Sequence, residues 1–196
     1  KRRTRDLVQD VGKAHTNGLI ALAEGMHNYL RGKPKTAYRL LRQAERTFRD
    51  HCDGLLFEET VAEAFALRAL MFQGELKQVS ELLPAALARA GDRRNHLQLS
   101  WMKADIFSIL SLAHEELDQL RADIAWTSAQ FLGKGWQGTL TYMHLFQFRA
   151  RVDLLLYEGR TAEAWEEHER RYPALISAGF DQQEFSRASL LDTRAR

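Results

Sequence analysis

One cysteine in 196 residues, Cys52, leaves no partner for an internal disulfide and fits a reducing compartment. Three prolines and 12 glycines are too few for a collagen-like or low-complexity chain. No uncharged apolar run approaches the roughly 20 residues that a membrane-spanning helix needs, and no charged-then-apolar secretory signal opens the chain. These absences predict a cytoplasmic protein with no membrane span. The first residue is Lys1 rather than Met, so a fragment of a longer multidomain protein is expected. The composition that is present, 45% apolar and 10% aromatic, excludes disorder. A chain of this length can bury roughly 70% of its unfolded surface, so it needs neither metal nor disulfide to fold.

Charge of one sign is also lacking overall, because the formal net charge is only +2. The distribution is uneven: residues 1–50 carry 12 Lys and Arg against 5 Asp and Glu, and residues 51–196 carry 16 against 21. Arg39, Arg42, Arg46 and Arg49 fall three, four and three residues apart, which makes one helical stripe. A stripe of this kind is either a solvated helix face or a contact for an anionic partner. No aromatic side chain interrupts it to stack on bases, so nucleic acid is the less favoured partner.

Apolar residues recur at helical spacing along almost the whole chain, as in Leu19, Leu22, Ala23, Met26 and Leu30, or Ile106, Ile109, Leu110 and Ala113. Thr139 to Phe148 has strand-prone residues, yet its period continues unchanged through Val152, Leu155 and Leu156, which predicts helix. Arg31-Gly32-Lys33-Pro34, Gln73-Gly74-Glu75 and Glu158-Gly159-Arg160-Thr161 each read as a helix stop followed by a helix start. Pro84 and Pro173 predict a kink or an early end in their helices.

The turns have a period. Gly32 and Gly74 are 42 residues apart and Gly159 follows after 85, which places a further turn near Leu117. Five residues after each turn come Ala37, Val79, Ala122 and Ala164; twelve after come Ala44, Ala86, Ala129 and the exception Arg171. Small residues at fixed offsets allow close approach of two helix axes. On this register, Ala37→Leu or Ala122→Leu is expected to cost about 1–3 kcal/mol. The expected architecture is all-α: one domain over residues 1–196, an α-solenoid of antiparallel helix pairs with a repeat of about 42 residues. Its units cover 14–54, 55–92, 93–135 and 136–179, with a partial fifth unit at 180–196. Phe185, Ala188 and Leu191 are at helical spacing in that last piece, which predicts a helix packed on the fourth pair with one face left open.

Gly25, Gly32, Ala37, Leu41 and Ala44 match the small residue, turn glycine, Ala, bulky residue and Ala of the tetratricopeptide (TPR) pattern. The segments YLRGKPKTAYRLLRQAERTFRDHC, ALRALMFQGELKQVSELLPAALARAGDR and YEGRTAEAWEEHERRYPAL resemble the TPR-like C-terminal region of bacterial serine/threonine protein kinases that carry a STAND/AAA-type ATPase module. The resemblance covers about Gly18 to Phe180 and its motifs are packing motifs. It implies a non-catalytic protein-interaction or sensor scaffold within a signalling kinase. The alternative is the helical-repeat arm of an ATP-dependent transcription regulator, with the basic N-terminal residues facing nucleic acid. The partner implied is a protein or peptide ligand, or other domains of the same chain. Carrying the register over residue by residue, the groove-facing positions include Tyr29, Arg68, Phe107, Ser111, His114, Arg149 and Asp153, with Arg149 and Asp153 spaced to pair. Leu22, Met26 and Leu156 share the register but are expected to be buried. Gly25, Gly32, Ala37, Ala44, Gly74, Ala86, Ala122, Ala129, Gly159 and Ala164 are the expected packing positions.

Catalytic signals are weak. No His-Arg-Asp or Asp-Phe-Gly tripeptide occurs, so no kinase site is expected in this segment. Gly133, Gly135 and Gly138 spell G-x-G-x-x-G with Glu158 about twenty residues on, but a helical pattern rather than a strand precedes them. None of the seven histidines pairs with another at four-residue spacing, which argues against a metal site. Cys52 has no base placed beside it by any motif, and neighbouring carboxylates such as Glu58 and Glu59 diverge on a helix rather than oppose each other. No catalytic residue, cofactor or metal is assigned from the sequence.

Overall fold

A computed structural model describes residues 2–104, 107–131 and 139–196. Among these the protein is all-α: ten helices, neighbours in sequence packing in pairs, and no strand. The chain forms two compact units, Lys1–Arg89 and Ala90–Arg196.

The first unit is built on a hairpin of α1 (Arg2–Leu30) and α2 (Pro34–His51). Pro34 occupies the first turn of α2, where its missing N–H has no intrahelical partner to lose. The two axes approach closely because α1 presents Gly18 and Gly25, seven residues apart, to α2. A Cβ on Gly25 would lie 2.7 Å from Leu41 Cγ and 3.2 Å from the Leu41 backbone nitrogen; one on Gly18 would lie 2.5 Å from the Phe48 ring. Leu41 and Phe48 are fully buried, so neither has room to retreat. Ala21, Ala44, Phe48 and Ala62 form the core here, with Leu22, Cys52 and Leu55 around them. The last of these lead into α3 (Leu56–Met71), which is buried on nearly every side from Ala62 to Met71. A helix without a polar face is a central one, and α3 packs against both α1 and α2. α4 (Leu76–Asp92) follows it.

In the second unit α8 (Tyr142–Tyr157) holds the centre. The Thr141 backbone N–H donates to His144 Nδ1 at 3.0 Å and starts the helix. Against α8 lie α5 (His96–Lys103), α6 (Ser108–Ala113), α7 (Leu117–Phe131), α9 (Thr161–Ser177) and α10 (Glu184–Ala195). The main core joins Leu145, Phe146, Phe148 and Val152 of α8 to Leu175, Phe180 and Leu190. A smaller one joins Ala150 and Leu154 to Leu120 and Ile124 of α7.

One device recurs in both units. Gly32, Gly74, Arg94, Glu115 and Gly159 are left-handed residues that follow a helix, with φ of +67°, +78°, +51°, +57° and +72°; the one at Arg94 lies in the link between α4 and α5, the other four at hairpin turns. Each N–H bonds back to the carbonyl three residues earlier, and the next N–H reaches the carbonyl five earlier, as in Glu116 to Ser111 at 2.8 Å and Arg160 to Leu155 at 2.9 Å. This pairing satisfies carbonyls that the helix end would orphan. Counting from each left-handed residue at the four hairpin turns, the fifth is Ala37, Val79, Leu120 or Ala164, all buried. The twelfth is Ala44, Ala86 or Thr127, also buried, and then Arg171, which is half-buried.

The third turn corrects the sequence register. It falls at Glu115, two residues before the expected Leu117, because the left-handed position is filled by a residue other than glycine. Ala122 and Ala129 are consequently exposed, and Leu120, Ile124 and Thr127 take the inward positions. Pro84 and Pro173 do not end their helices early: α4 and α9 run past them to Asp92 and Ser177. Both prolines are exposed, so the carbonyl each leaves unbonded faces water. The helix over 139–148 begins at Tyr142. Ile106 and the glycines at 133, 135 and 138 lie outside the described residues. After Gly179 comes a short 3-10 turn, Phe180–Gln182, and then α10. The face that α10 buries is Ser186, Ser189, Leu190 and Thr193; of the expected stripe, Phe185 is half-buried and Ala188 and Leu191 are exposed.

Substitution on α7 checks the corrected register. Leu120→Ala is expected to cost about 2–5 kcal/mol, while Ala122→Leu stays within about 0.5 kcal/mol of the parent. Ala37→Leu retains its expected cost of about 1–3 kcal/mol. Denaturant unfolding of the three variants decides, and a large loss in Ala122→Leu with none in Leu120→Ala restores the original register.

Candidate functional site

The basic stripe of α2 divides in two because of one acid. Glu45 is fully buried and lies three residues after Arg42 and four before Arg49 on the same helix. Arg42 donates to its Oε2 and Arg49 to its Oε1, the latter at 2.8 Å. These two guanidiniums are thus half-buried and held in place. Arg39 and Arg46 are exposed and, like Lys35, have no carboxylate partner among the described residues. A shallow, open cleft of about 830 Å³ lies on this face, its described lining Lys35, Thr36, Tyr38, Arg39, Arg42, Gln43, Arg46, Thr47 and His51 all belonging to α2.

Burial pushes the Glu45 carboxyl above its ordinary range; the Arg42 charge opposes this, and the nearby Glu63 charge adds to it. Glu63 is itself buried and takes a bond from Arg89 of α4. Two acidic side chains in the interior of the unit are therefore each met by arginine from a half-exposed position, which matters because an unmatched buried charge is costly.

The expected groove residues are scattered by the fold. Tyr29 and Arg68 are buried and meet at Phe65: the Tyr29 ring is edge-on at 5.3 Å, and the Arg68 guanidinium sits 5.1 Å from the ring centroid. Phe107 is buried; Ser111 is half-buried and gives its carbonyl to the turn; His114 is exposed beside Glu115. Arg149 and Asp153 each reach α10, in place of the pair expected between them. Arg149 donates to Ser189 Oγ at 2.8 Å and lies 3.7 Å from Asp192, while the buried Asp153 lies 3.0 Å from Arg196. Burial raises the Asp153 carboxyl, against the Arg196 and Arg149 charges. Tyr29, Arg68, Phe107 and Asp153 are interior residues, so they line no open groove. Their register places them on helices that are covered on more than one side.

Of the expected packing positions, Gly25, Ala37, Ala44, Ala86 and Ala164 are buried, and Gly32, Gly74 and Gly159 make the left-handed turns. The sequence reading missed Glu45 as the organiser of the stripe. An acid with arginines at i−3 and i+4 was the available signal, but periodicity alone does not distinguish it from a solvated charge.

Cys52 is half-buried, and burial together with the Asp53 charge pushes its thiol upward, away from the reactive thiolate. Among the described residues no three His, Cys, Asp or Glu side chains are grouped so that they could hold a metal ion. Glu158, the acid that follows the glycine motif, is engaged by Arg121 and Arg160, whose hydrogen bonds hold its carboxyl below the usual range. No helix among the described residues is long and apolar enough to cross a membrane. Comparison of the chain with protein families, with characterised proteins and with solved structures finds no match.

The raised Glu45 carboxyl has a measurable consequence. A carboxyl that binds its proton more tightly when folded adds stability that is complete below its unfolded pKa, about 4.5. That contribution is lost as pH rises through the folded value. The stability of the parent relative to Glu45→Gln is therefore expected to fall as pH rises from about 4.5. Paired thermal melts across pH check this, and a difference that is flat or rises with pH contradicts it.

Proposed function

We propose that the chain is a non-catalytic interaction module of TPR-like helix pairs, serving as a sensor or scaffold arm in a bacterial signalling serine/threonine protein kinase that carries an ATPase module. The observation that carries the reading is the recurrence of one left-handed turn at Gly32, Gly74, Glu115 and Gly159, with a buried residue five positions after each. Stacked units of a helical repeat bury a shared core and leave their remaining surface to partners. Partner binding then acts by favouring one arrangement of the attached modules over another. The kinase and ATPase assignment rests on the resemblance of the three segments around the turns.

The basic face of α2 favours a second reading, in which the chain is the arm of an ATP-dependent transcription regulator and Arg39 and Arg46 meet phosphates. Neither reading gives this segment a reaction of its own.

A surface-immobilised array of short randomised peptides separates these possibilities from each other. The interaction module is expected to retain a subset of peptides with micromolar Kd, and to hydrolyse no ATP. An array on which no peptide rises above background, alongside tight duplex DNA binding with a steep salt dependence, overturns the first reading in favour of the second.

A further inference from the structure

We propose that the cleft beside α2 is a docking site for an acidic peptide segment, one rich in Asp and Glu; this deepens the interaction-module reading and rests on it. The cleft wall is chemically one-sided. Its described lining contains Lys35, Arg39, Arg42 and Arg46, with no carboxylate and no aliphatic side chain. A carboxylate would meet guanidinium forks there that are suited to bidentate pairing. Arg42 is already fixed by Glu45 from the buried side, so less side-chain freedom is lost when a ligand engages it. Arg39 and Arg46 are exposed and have no acidic partner among the described residues.

The spacing of the cations suits an extended peptide. Lys35, Arg39, Arg42 and Arg46 follow one another along the helix axis at steps of about 6, 4.5 and 6 Å. Side chains on one face of an extended segment repeat every 6.5–7 Å or so, a difference that long flexible arginines span. A single strand needs successive aromatic platforms, and Tyr38 is the one aromatic side chain in the described lining.

Fluorescence anisotropy with the full chain tests the assignment, using a labelled Glu- and Asp-rich peptide, its Gln and Asn isostere, and a duplex DNA of similar charge. The acidic peptide is expected to bind at least tenfold more tightly than the isostere and the duplex, and to weaken between about 50 and 200 mM salt as charge pairs are screened. Arg39→Gln with Arg46→Gln is expected to weaken it at least tenfold with the thermal melt unchanged, while Arg187→Gln on α10 leaves binding as it was. Should the double variant melt early, Arg39→Gln alone and Lys35→Gln replace it, each with a several-fold loss expected. Equal affinity for duplex DNA, or variants that bind like the parent, overturns the proposal. If array peptides bind and the acidic ones are not enriched among them, this site falls while the interaction module stands. If no peptide of any kind binds, the failure belongs to the module reading itself.

Discussion

The constraint on which most of the structure depends is the need to end a helix without leaving its carbonyls unbonded. A helix that turns back on itself cannot rely on water at the point of reversal, so the chain adopts one left-handed residue and closes two short hydrogen bonds. The same device, at Gly32, Gly74, Glu115 and Gly159, starts α2, α4, α7 and α9 two residues after the left-handed residue in every case. Which residues of the second helix face inward is then fixed by counting. The buried positions at Ala37, Val79, Leu120 and Ala164 follow from the turn rather than from any shared side chain.

Close helix contact and buried charge solve different parts of the packing. Between α1 and α2 the backbone itself comes near, since Gly18 and Gly25 give Phe48 and Leu41 the space that a side chain would take. Elsewhere the helices are bridged by acid–base pairs whose acid is inside and whose base reaches in from the surface: Glu63 with Arg89, and Asp153 with Arg196. Glu45 follows the same rule within one helix. An acid in the interior demands a matching cation, and long arginines supply it while keeping part of their length in water. The cationic surface of α2 is in this sense a by-product of an internal requirement, extended by Lys35, Arg39 and Arg46, which serve no such acid.

The all-α class was legible because apolar spacing near 3.6 is continuous, and three of the four hairpin turns because glycine marks them. The fourth was misplaced by two residues. Glu115 is left-handed without being glycine, a conformation costing an ordinary residue roughly 1–2 kcal/mol, and no local sequence rule announces it. Helices continuing past Pro84 and Pro173 were hidden for a related reason: exposure, which makes an interior proline tolerable, is a tertiary property. The candidate site was half legible. The arginine stripe could be read from spacing, but that Glu45 points inward and claims two of its members depends on what lies beneath α2. The groove expected from register failed where helices are covered on more than one side, since a register tells which residues share a face and not whether that face is open.

The left-handed residues of the four hairpin turns, Gly32, Gly74, Glu115 and Gly159, are separated by 42, 41 and 44 residues, whereas the buried fifth position after each is constant. Variation in spacing is therefore absorbed outside the stretch that runs from each turn to the buried position after it. The links that join one hairpin to the next, such as Cys52 to Leu55, behave as expansion joints. A reporter epitope or a tether spliced into such a link leaves every inward-facing position counted from its own turn, whereas a single residue added between Gly32 and Ala44 rotates the rest of α2 by about 100° and turns its buried face toward solvent.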